Sequence, residues 1–255
     1  MSSIVDRYFN VMAERMEHVR ATQTEAIERA AAACADSIAR DKLVFTFGTG
    51  HGALPAIETF PRTGTIVGFR PIVESTMISF HRVWGDTGAR QYRFIHAVEG
   101  YGRAILRSHQ IDPADSMILF SHSGVNAVIL DIALGAKEAG LKLIAVTSLP
   151  HSSASPSRHS SGKRLYEVAD IVIDTGAPLA DASIRIDGLD APVGATSTSV
   201  TIAIAQAIVA ATAENLVGRG VKPMVMVNPN TADKATANAA NDRNYDELWR
   251  RLKAR

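Results

Sequence analysis

The sequence predicts an α/β protein with a doubly wound, mainly five-stranded parallel sheet flanked by helices. Short apolar runs alternate along the chain with helical segments, which is the pattern of a parallel sheet covered by helices. The runs are continuous and too short for helices, as is typical of strands buried on both faces. Three of them end abruptly in glycine, serine or threonine. The predicted strands are residues 43–47, 65–69, 117–120, 143–146 and 170–174.

The first element is an N-terminal helical arm. Ile4, Tyr8 and Val19 lie on one apolar stripe, which continues through Ile27 and Ile38. The pattern fits one helix over residues 4–39 or two consecutive helices. This amphipathic arm either covers the sheet or meets a partner subunit.

The later elements follow the strands in order. A serine-rich polar segment, residues 151–163, is expected to be a mobile loop or lid over the carboxyl edge of the sheet, and residues 182–193 an edge excursion. Helices are predicted over residues 54–60, 72–84, 94–108, 131–139, about 197–217 and 245–252. We therefore expect an arm at 1–40, one α/β domain at 41–220 and a tail at 221–255.

Composition limits the possible partners. Lys and Arg number 27 against 26 Asp and Glu, and no basic block stands out, so a nucleic-acid partner is not expected. The apolar run at 200–213 contains Thr201, Gln206 and Thr212 and is predicted to be too short and too polar to span a bilayer. The single cysteine, Cys34, and the lack of a visible signal peptide favour a cytoplasmic protein.

Three strand ends carry hydroxyl-rich or glycine-rich turns: residues 48–52, 121–126 and 147–148. In parallel sheets the carboxyl ends of the strands meet at one edge, where ligands bind. Unpaired amides at a following helix and serine hydroxyls favour an anion, a phosphate above all. The first turn lacks the third glycine of a dinucleotide fingerprint, and no nucleoside-triphosphate loop is present.

These turns resemble the signature of the sugar isomerase (SIS) domain. The family pattern is a strand into Gly-x-Gly, a strand into Ser-x-Ser-Gly and a third ending in Thr or Ser. Phe47 to Gly50, Ser121 to Gly124 and Val146 to Ser148 match it in order, and Thr196 to Ser199 resembles the family's last hydroxyl-rich turn. The resemblance covers about residues 35–218. It is closest to single-domain SIS proteins with similar Gly-Thr-Gly-His and Arg-His-Ser-Ser-Gly-Lys segments.

The resemblance implies a small-molecule sugar phosphate as ligand. Asn126 stands where many members have a hydroxyl, and Gly52 where many have serine, so two contacts of the family pattern differ here. The residues implied in substrate binding are Gly48, Thr49, Gly50, Ser121, His122, Ser123, Gly124, Asn126, Thr147, Ser148, Thr196 and Ser197.

Three residues are candidates for the chemistry. Glu58 lies in a run similar to one that carries a catalytic glutamate in phosphoheptose isomerases, and Glu99 in a run similar to one of the N-acetylmuramic acid 6-phosphate etherases. His51, inside the glycine turn, is a residue type that can contact a substrate or act as an acid at neutral pH. A solvated helix glutamate or a surface histidine remains the structural alternative for each.

The predicted function is aldose–ketose isomerisation of a sugar phosphate through an enediol, with no cofactor and no metal. Two alternatives stay open: etherase-like elimination on an amino-sugar phosphate, and phosphosugar binding without catalysis. A homodimer or homotetramer is expected, because SIS sites are commonly completed by a neighbouring subunit.

Overall fold

The structure, a computed structural model, describes residues 3–78, 88–230 and 233–254. Its helices are α1 (Ile4–Ala39), α2 (Ala53–Glu58), α3 (Gly88–Ile95), α4 (Tyr101–Arg107), α5 (Ala127–Glu138), α6 (Leu149–Ala154), α7 (Leu165–Val168), α8 (Ser197–Gly218) and α9 (Lys234–Lys253). Its strands are β1 (Val44–Gly48), β2 (Phe69–Pro71), β3 (Ser116–Phe120), β4 (Lys142–Thr147), β5 (Ile171–Asp174), β6 (Ala182–Ile184) and β7 (Val193–Ala195).

The central sheet confirms the predicted fold class. Five strands pair in parallel in the order β2-β1-β3-β4-β5. The winding reverses between β1 and β3, so the crevice at this edge of the sheet is the expected ligand position. In register, Gly48 lies opposite Phe120, which brings the first predicted turn beside the second.

Helices cover both faces of the sheet. On one face α1, α2 and α8 pack against alternate residues of the strands, including Val44, Ile118 and Ile144. On the other, α4 and α5 pack against Phe45, Met117, Leu143 and their neighbours. The predicted arm is a single helix of 36 residues that begins at an N-cap made by Ser3. It contributes Ala30, Cys34 and Ile38 to the core, so α1 covers the sheet.

Helix α8 extends beyond the apolar run seen in the sequence. With 22 residues it is long and apolar enough to cross a membrane by length and composition, and 44% of its most apolar window is buried. The prediction that this segment is too short was therefore wrong. The helix packs on α1 and α2 in the core of the domain, and we interpret it as a core helix.

Two elements differ from the prediction because of long-range pairing. Residues 64–67 do not form the second strand: Gly64 and Val67 instead donate to the carbonyls of Met226 and Met224. The strand lies at Phe69–Pro71. No helix begins at Ile72, because its amide still bonds to the Thr46 carbonyl of β1. A 3-10 turn forms at Ser75–Met77, and residues 79–84 of the predicted helix lie outside the described residues.

Other differences concern helix boundaries. The helix predicted over 94–108 is two helices, α3 and α4, separated at Gly100, which has a φ of 88°. Helix α5 begins at Ala127, directly after the hydroxyl-rich turn. The excursion at 182–193 is a short antiparallel hairpin of β6 and β7, and the tail helix begins at Lys234.

Candidate functional site

The glycine turn after β1 lies directly against the end of β3. A Cβ at Gly48 would lie 2.0 Å from the Gly52 carbonyl oxygen and 2.8 Å from that of Phe120. One at Gly52 would lie 2.5 Å from the Phe120 oxygen, so the serine found here in many SIS proteins does not fit this turn. The Tyr92 hydroxyl donates to the Thr49 hydroxyl at 3.2 Å, which leaves the Thr49 proton for a ligand.

The turn after β3 keeps two hydroxyls in reach of a ligand. The Ser121 hydroxyl accepts from the Gly124 amide at 3.1 Å and can still donate its own proton. Ser123 is half-buried, and no hydrogen bond joins its hydroxyl to another described residue. Asn126 is the N-cap residue of α5, and its side-chain oxygen accepts from Arg158 at 3.3 Å. Ser121, Ser123 and the amino end of α5 thus form one polar surface.

The turn after β4 is used differently from the prediction. The Thr147 hydroxyl donates to the His122 carbonyl at 3.2 Å. The Ser148 hydroxyl donates to the Ala177 carbonyl at 2.6 Å and accepts from the His151 amide at 3.1 Å. Both side chains are fully buried. In this conformation Thr147 holds the turn after β3, and Ser148 joins the start of α6 to the residues after β5. Their predicted contact with a phosphate stays a prediction.

The amino end of α8 is occupied by a carboxylate. Asp181 accepts from the amides of Thr196 and Ser197, at 3.0 and 2.8 Å, and from the Ser197 hydroxyl at 2.6 Å. Burial opposes ionisation of Asp181, but these hydrogen bonds and nearby His122 outweigh it, and its pKa lies below the ordinary value. Sequence reasoning placed Asp181 in an edge excursion and missed it. Asp181 and the preceding Ala180 both have a φ of 67°, and the sequence does not show this backbone conformation.

Two histidines meet at the turns after β3 and β4. The rings of His122 and His151 are 4.5 Å apart, edge to face. Burial lowers the pKa of His122; the neighbouring His151 lowers it further, against the effect of Asp181. Burial also lowers the pKa of His151, where Asp181 opposes the shift and Arg158 adds to it. Both imidazoles are therefore neutral at pH 7. We call His122 and His151 the histidine pair.

A small cavity lies between the turns after β1 and β3 and the amino end of α8. Its volume is about 40 Å³, which is too small for a sugar phosphate, so a ligand enters only if the surrounding turns open. Its lining combines predicted and new residues: His51, Gly52, Pro55, Phe120, Ser121, His122, Ser197, Thr198 and Thr201. A larger cavity of about 390 Å³ lies at the amino ends of the strands, lined by Lys137, Lys142, Asp170 and others, away from the predicted turns.

Glu58 does not line the small cavity. It is the last residue of α2, and its carboxylate is paired with Arg62, one turn later along the chain. Its carbonyl accepts from Gln206 of α8 at 2.7 Å. Pro55, on the same helix, does reach the cavity.

Glu99 belongs to a separate cluster. It accepts from the Ser160 amide at 2.5 Å and from the Ser160 hydroxyl at 2.6 Å, and these bonds hold its pKa below the ordinary value. Next to it, His159 contacts the buried Asp131 at 3.3 Å. Asp131 also accepts from the amides of Gly100 and Gly102. We call Glu99, Asp131, His159 and Ser160 the clasp.

The clasp changes the interpretation of residues 151–163. Their first part is helical, in α6, and the rest is fixed by the clasp and by a bond from the Arg158 amide to the Val125 carbonyl at 2.9 Å. The expected mobile loop is thus an anchored segment in this conformation. Among the described residues, no group of three or more His, Cys, Asp or Glu side chains is arranged to hold a metal ion.

The comparisons with known proteins agree on one family. A family model described as the SIS domain matches residues 7–148. UPF0309 protein BH3325 of Halalkalibacterium halodurans is 32% identical over 248 residues, covering 96% of this chain and 98% of the relative. A UPF0309 protein of Streptomyces griseus is 32% identical over 229 residues, covering 90% of each chain.

Solved structures show the same fold. The phosphoheptose isomerase of Neisseria gonorrhoeae matches with a TM-score of 0.54 at 14% identity, over 82% of this chain and 96% of the neighbour. That of Francisella tularensis matches with a TM-score of 0.53 at 15% identity, over 84% of this chain and 100% of the neighbour.

Proposed function

Since the chain belongs to the SIS domain family, we propose that it binds a sugar phosphate and interconverts its aldose and ketose forms by proton transfer through an enediol. The observation that carries the proposal is the meeting of two ligand-type turns at the point where the sheet reverses. Gly48 and Gly52 contact the end of β3, from which Ser121, Ser123 and the amino end of α5 follow. Such turns with free amides and hydroxyls bind phosphate groups.

The phosphate is assigned to Ser121, Ser123 and the Gly124 turn, with Gly48–Gly50 beside it. His51 borders the cavity next to this position and remains a candidate acid. Glu58 becomes a base only if its pairing with Arg62 opens. Thr147, Ser148, Thr196 and Ser197 reach a ligand only after exchanging their present partners, and for these four we propose contacts in the opened site.

Binding is tested first, with a panel of sugar phosphates of five, six and seven carbons, including a heptose phosphate because two structural neighbours are phosphoheptose isomerases. A ligand at 100 times its Kd stabilises the folded chain by about 2.7 kcal/mol, which raises the melting temperature of a chain of this size by roughly 5–10 °C. The matching sugars without phosphate are the control. Equal shifts with and without phosphate would contradict the proposal.

Turnover is tested by proton NMR in D2O. An enediol intermediate exchanges the migrating hydrogen with solvent, so an isomerase incorporates deuterium at C1 or C2 and forms the second sugar. The etherase alternative, in which Glu99 is the acid, instead releases a hydroxy acid from an amino-sugar phosphate. Release of that acid without isomer would favour the alternative.

One observation favours binding without catalysis. Both predicted carboxylates are engaged by protein partners, Glu58 by Arg62 and Glu99 by Ser160. If Glu58→Gln and Glu99→Gln leave ligand affinity intact and the wild-type chain never shows exchange or product, the protein is a phosphosugar-binding protein.

Assembly is part of the proposal. The outer face of α1 leaves large apolar side chains exposed, with Val5 at 62% and Phe9 at 66%. We propose that a homodimer or homotetramer covers them. Sedimentation velocity at micromolar concentration should give twice or four times the mass of 27.3 kDa, and Phe9→Glu should shift the distribution towards the monomer.

A further inference from the structure

We infer that the histidine pair carries the protons of this reaction, with His122 as the base, His151 as the acid and Asp181 as a positioning residue. The inference rests on the proposed function; it gives His122, so far implied only in binding, a catalytic role, and it adds His151 and Asp181, which neither the family pattern nor the carboxylate candidates supply. Four observations support it: the unpartnered ring of His122, the tautomer of His151, the anchoring of Asp181, and the contact between the two rings at the turn after β3.

His122 has the properties of a base waiting for a substrate. Both of its ring nitrogens are buried and have no hydrogen-bond partner. Leaving buried polar atoms unpaired is unfavourable, so such atoms in a native fold call for an explanation. His122 lies between Ser121 and Ser123 and lines the cavity. A substrate hydroxyl or an enediol oxygen would supply the missing partner.

Nearby Ser152 supports the idea that the site is incomplete without a ligand. Its hydroxyl is fully buried, has no partner, and lies 3.1 Å from where a Cβ at Gly124 would be. Two unsatisfied polar side chains therefore flank the same turn. A polar site with unused donors and acceptors is one that a polyhydroxylated ligand can satisfy.

His151 has a defined tautomer. Its Nδ1 accepts from the Ala180 amide at 3.2 Å, so in the neutral ring the proton is on Nε2. Nε2–H is then available as a donor, while the unprotonated nitrogen of neutral His122 is available as an acceptor. The two rings thus offer one acid and one base at the same pH.

Asp181 sets the electrostatics of the pair. It is held on the amino end of α8 by Thr196 and Ser197, and it raises the pKa of both rings against the effect of burial. The other charged or titratable groups acting on the pair are Arg158, which lowers the pKa of His151, and His151 itself, which lowers the pKa of His122. His51 borders the same cavity.

The step balances within the substrate and the two rings. His122 takes the proton from C2 of the aldose; the C–H electron pair becomes the C1–C2 double bond, and the carbonyl pair becomes an O–H bond with the proton from His151 Nε2. In the second half, the electron pair of the C1–C2 double bond forms a C–H bond at C1 with the proton held by His122. The O2–H bond breaks at the same time: its electron pair forms the new carbonyl at C2, and its proton returns to His151. No external oxidant is needed.

The test is deuterium exchange with fructose 6-phosphate, ribose 5-phosphate and sedoheptulose 7-phosphate in D2O, alongside thermal shift with the same compounds. We expect His122→Asn and His151→Asn each to lower the exchange rate at least a hundredfold while the sugar phosphate still raises the melting temperature. The control is His109→Asn. His109 is half-buried and also has a buried, unpartnered Nε2 and a lowered pKa, but it lines a cavity with Arg103 and Arg107 before β3.

The pH profile separates catalysis from structure. In the wild type, exchange should rise with pH through a pKa below 6.5 and then level off, and His122→Asn should remove that limb. Asp181→Asn should move the limb to lower pH, because a negative charge that raises the pKa of His122 is lost. If Asp181→Asn does not fold, NMR titration of the His122 ring in the wild type, with and without sugar phosphate, reports the same coupling.

The outcomes distinguish the two levels of inference. Exchange within threefold of wild type in His122→Asn overturns the role of the histidine pair and leaves the isomerase proposal intact. Thermal shift without exchange by the wild type overturns both the pair and the isomerase proposal. No thermal shift with any of the three compounds overturns sugar-phosphate binding itself, and the pair with it.

Discussion

The clasp and the histidine pair contain similar polar side chains but differ in how completely these are hydrogen-bonded. In the clasp every polar group has a partner: His159 contacts both Asp131 and Ser161, and Asp131 accepts two amides besides. In the pair, His122 has no hydrogen bond on either nitrogen. Satisfied networks rigidify a fold, whereas an unsatisfied buried group is kept at a cost in stability.

The difference separates residues that stabilise the fold from residues that we propose to act on a ligand. The clasp fixes residues 157–163 over α5, and so fixes the turn that precedes α5. Of the histidine pair, His122 lies in that turn and His151 contacts it from α6. We therefore expect substitutions in the clasp to change unfolding, and substitutions in the pair to change exchange.

The largest effect is expected at Asp131. Asp131→Ala removes a carboxylate that is 2% exposed and leaves the amides of Gly100 and Gly102 without their acceptor. The free energy of unfolding should fall by about 3 kcal/mol, measured by urea denaturation. The control is Glu138→Ala, whose carboxylate is 62% exposed and paired with Arg103; because that ion pair is solvent-exposed, its loss should cost far less stability than Asp131→Ala. Equal losses at both positions would show that the clasp is not structural.

The second prediction compares the two histidines directly. His159→Asn breaks contacts to Asp131 and Ser161 and should lower the free energy of unfolding by about 1–2 kcal/mol, with little change in deuterium exchange. His122→Asn breaks no hydrogen bond and should change unfolding by less than about 1 kcal/mol while abolishing exchange. The prediction is contradicted if His122→Asn destabilises the protein more than His159→Asn, or if His159→Asn lowers exchange more than His122→Asn.

The sheet and the family were predictable from the sequence because local patterns determine them. Continuous apolar runs identify buried strands, and the turns after β1 and β3 carry recognisable glycines and serines. The position of the second strand was not predictable in this way. Residues 64–67 pair with the backbone at Met224 and Met226, about 160 positions away, and no local pattern shows that preference.

For the candidate site residues, the sequence predicts which turns they occupy but not how their side chains are oriented. The Ser148 hydroxyl bonds to the Ala177 carbonyl, and Ser197 bonds to Asp181, so both depend on side-chain conformations and on contacts between separate elements. His151 was assigned to a loop because α6 is short and serine-rich. Only the fold shows that it meets His122.

The third prediction concerns the turn after β3, to which we assign the phosphate. Ser123→Ala should weaken sugar-phosphate binding about tenfold, or ~1.4 kcal/mol, because a hydrogen bond to a charged oxygen is lost, and should leave unfolding of the ligand-free protein unchanged. Ser121→Ala should weaken binding and also destabilise the free protein, since the Gly124 amide loses its acceptor. Isothermal titration and urea denaturation measure the two quantities.

The control for the third prediction is Ser108→Ala. Ser108 is the residue directly after α4, and its exposed hydroxyl donates to the Ala104 carbonyl of that helix. It should change neither binding nor unfolding. Unchanged affinity in Ser123→Ala would remove Ser123 from the site and leave the Ser121 turn to be tested alone.

The smallest effect is the pH dependence of stability. The pKa of His122 in the folded chain is lowered, chiefly by burial, below its unfolded value near 6.5. When the pH falls below about 6.5, the unfolded chain therefore binds a proton that the folded chain does not, and stability decreases. Above pH 7 both states are neutral at this ring and it contributes no slope. His122→Asn should accordingly gain stability relative to the wild type between pH 7 and 5, by less than the ~1.4 kcal/mol per pH unit of one full proton. Urea denaturation at half-unit intervals measures that difference. A wild type that gains on the variant as the pH falls would mean that His122 is protonated in the folded chain, and a protonated His122 is no base.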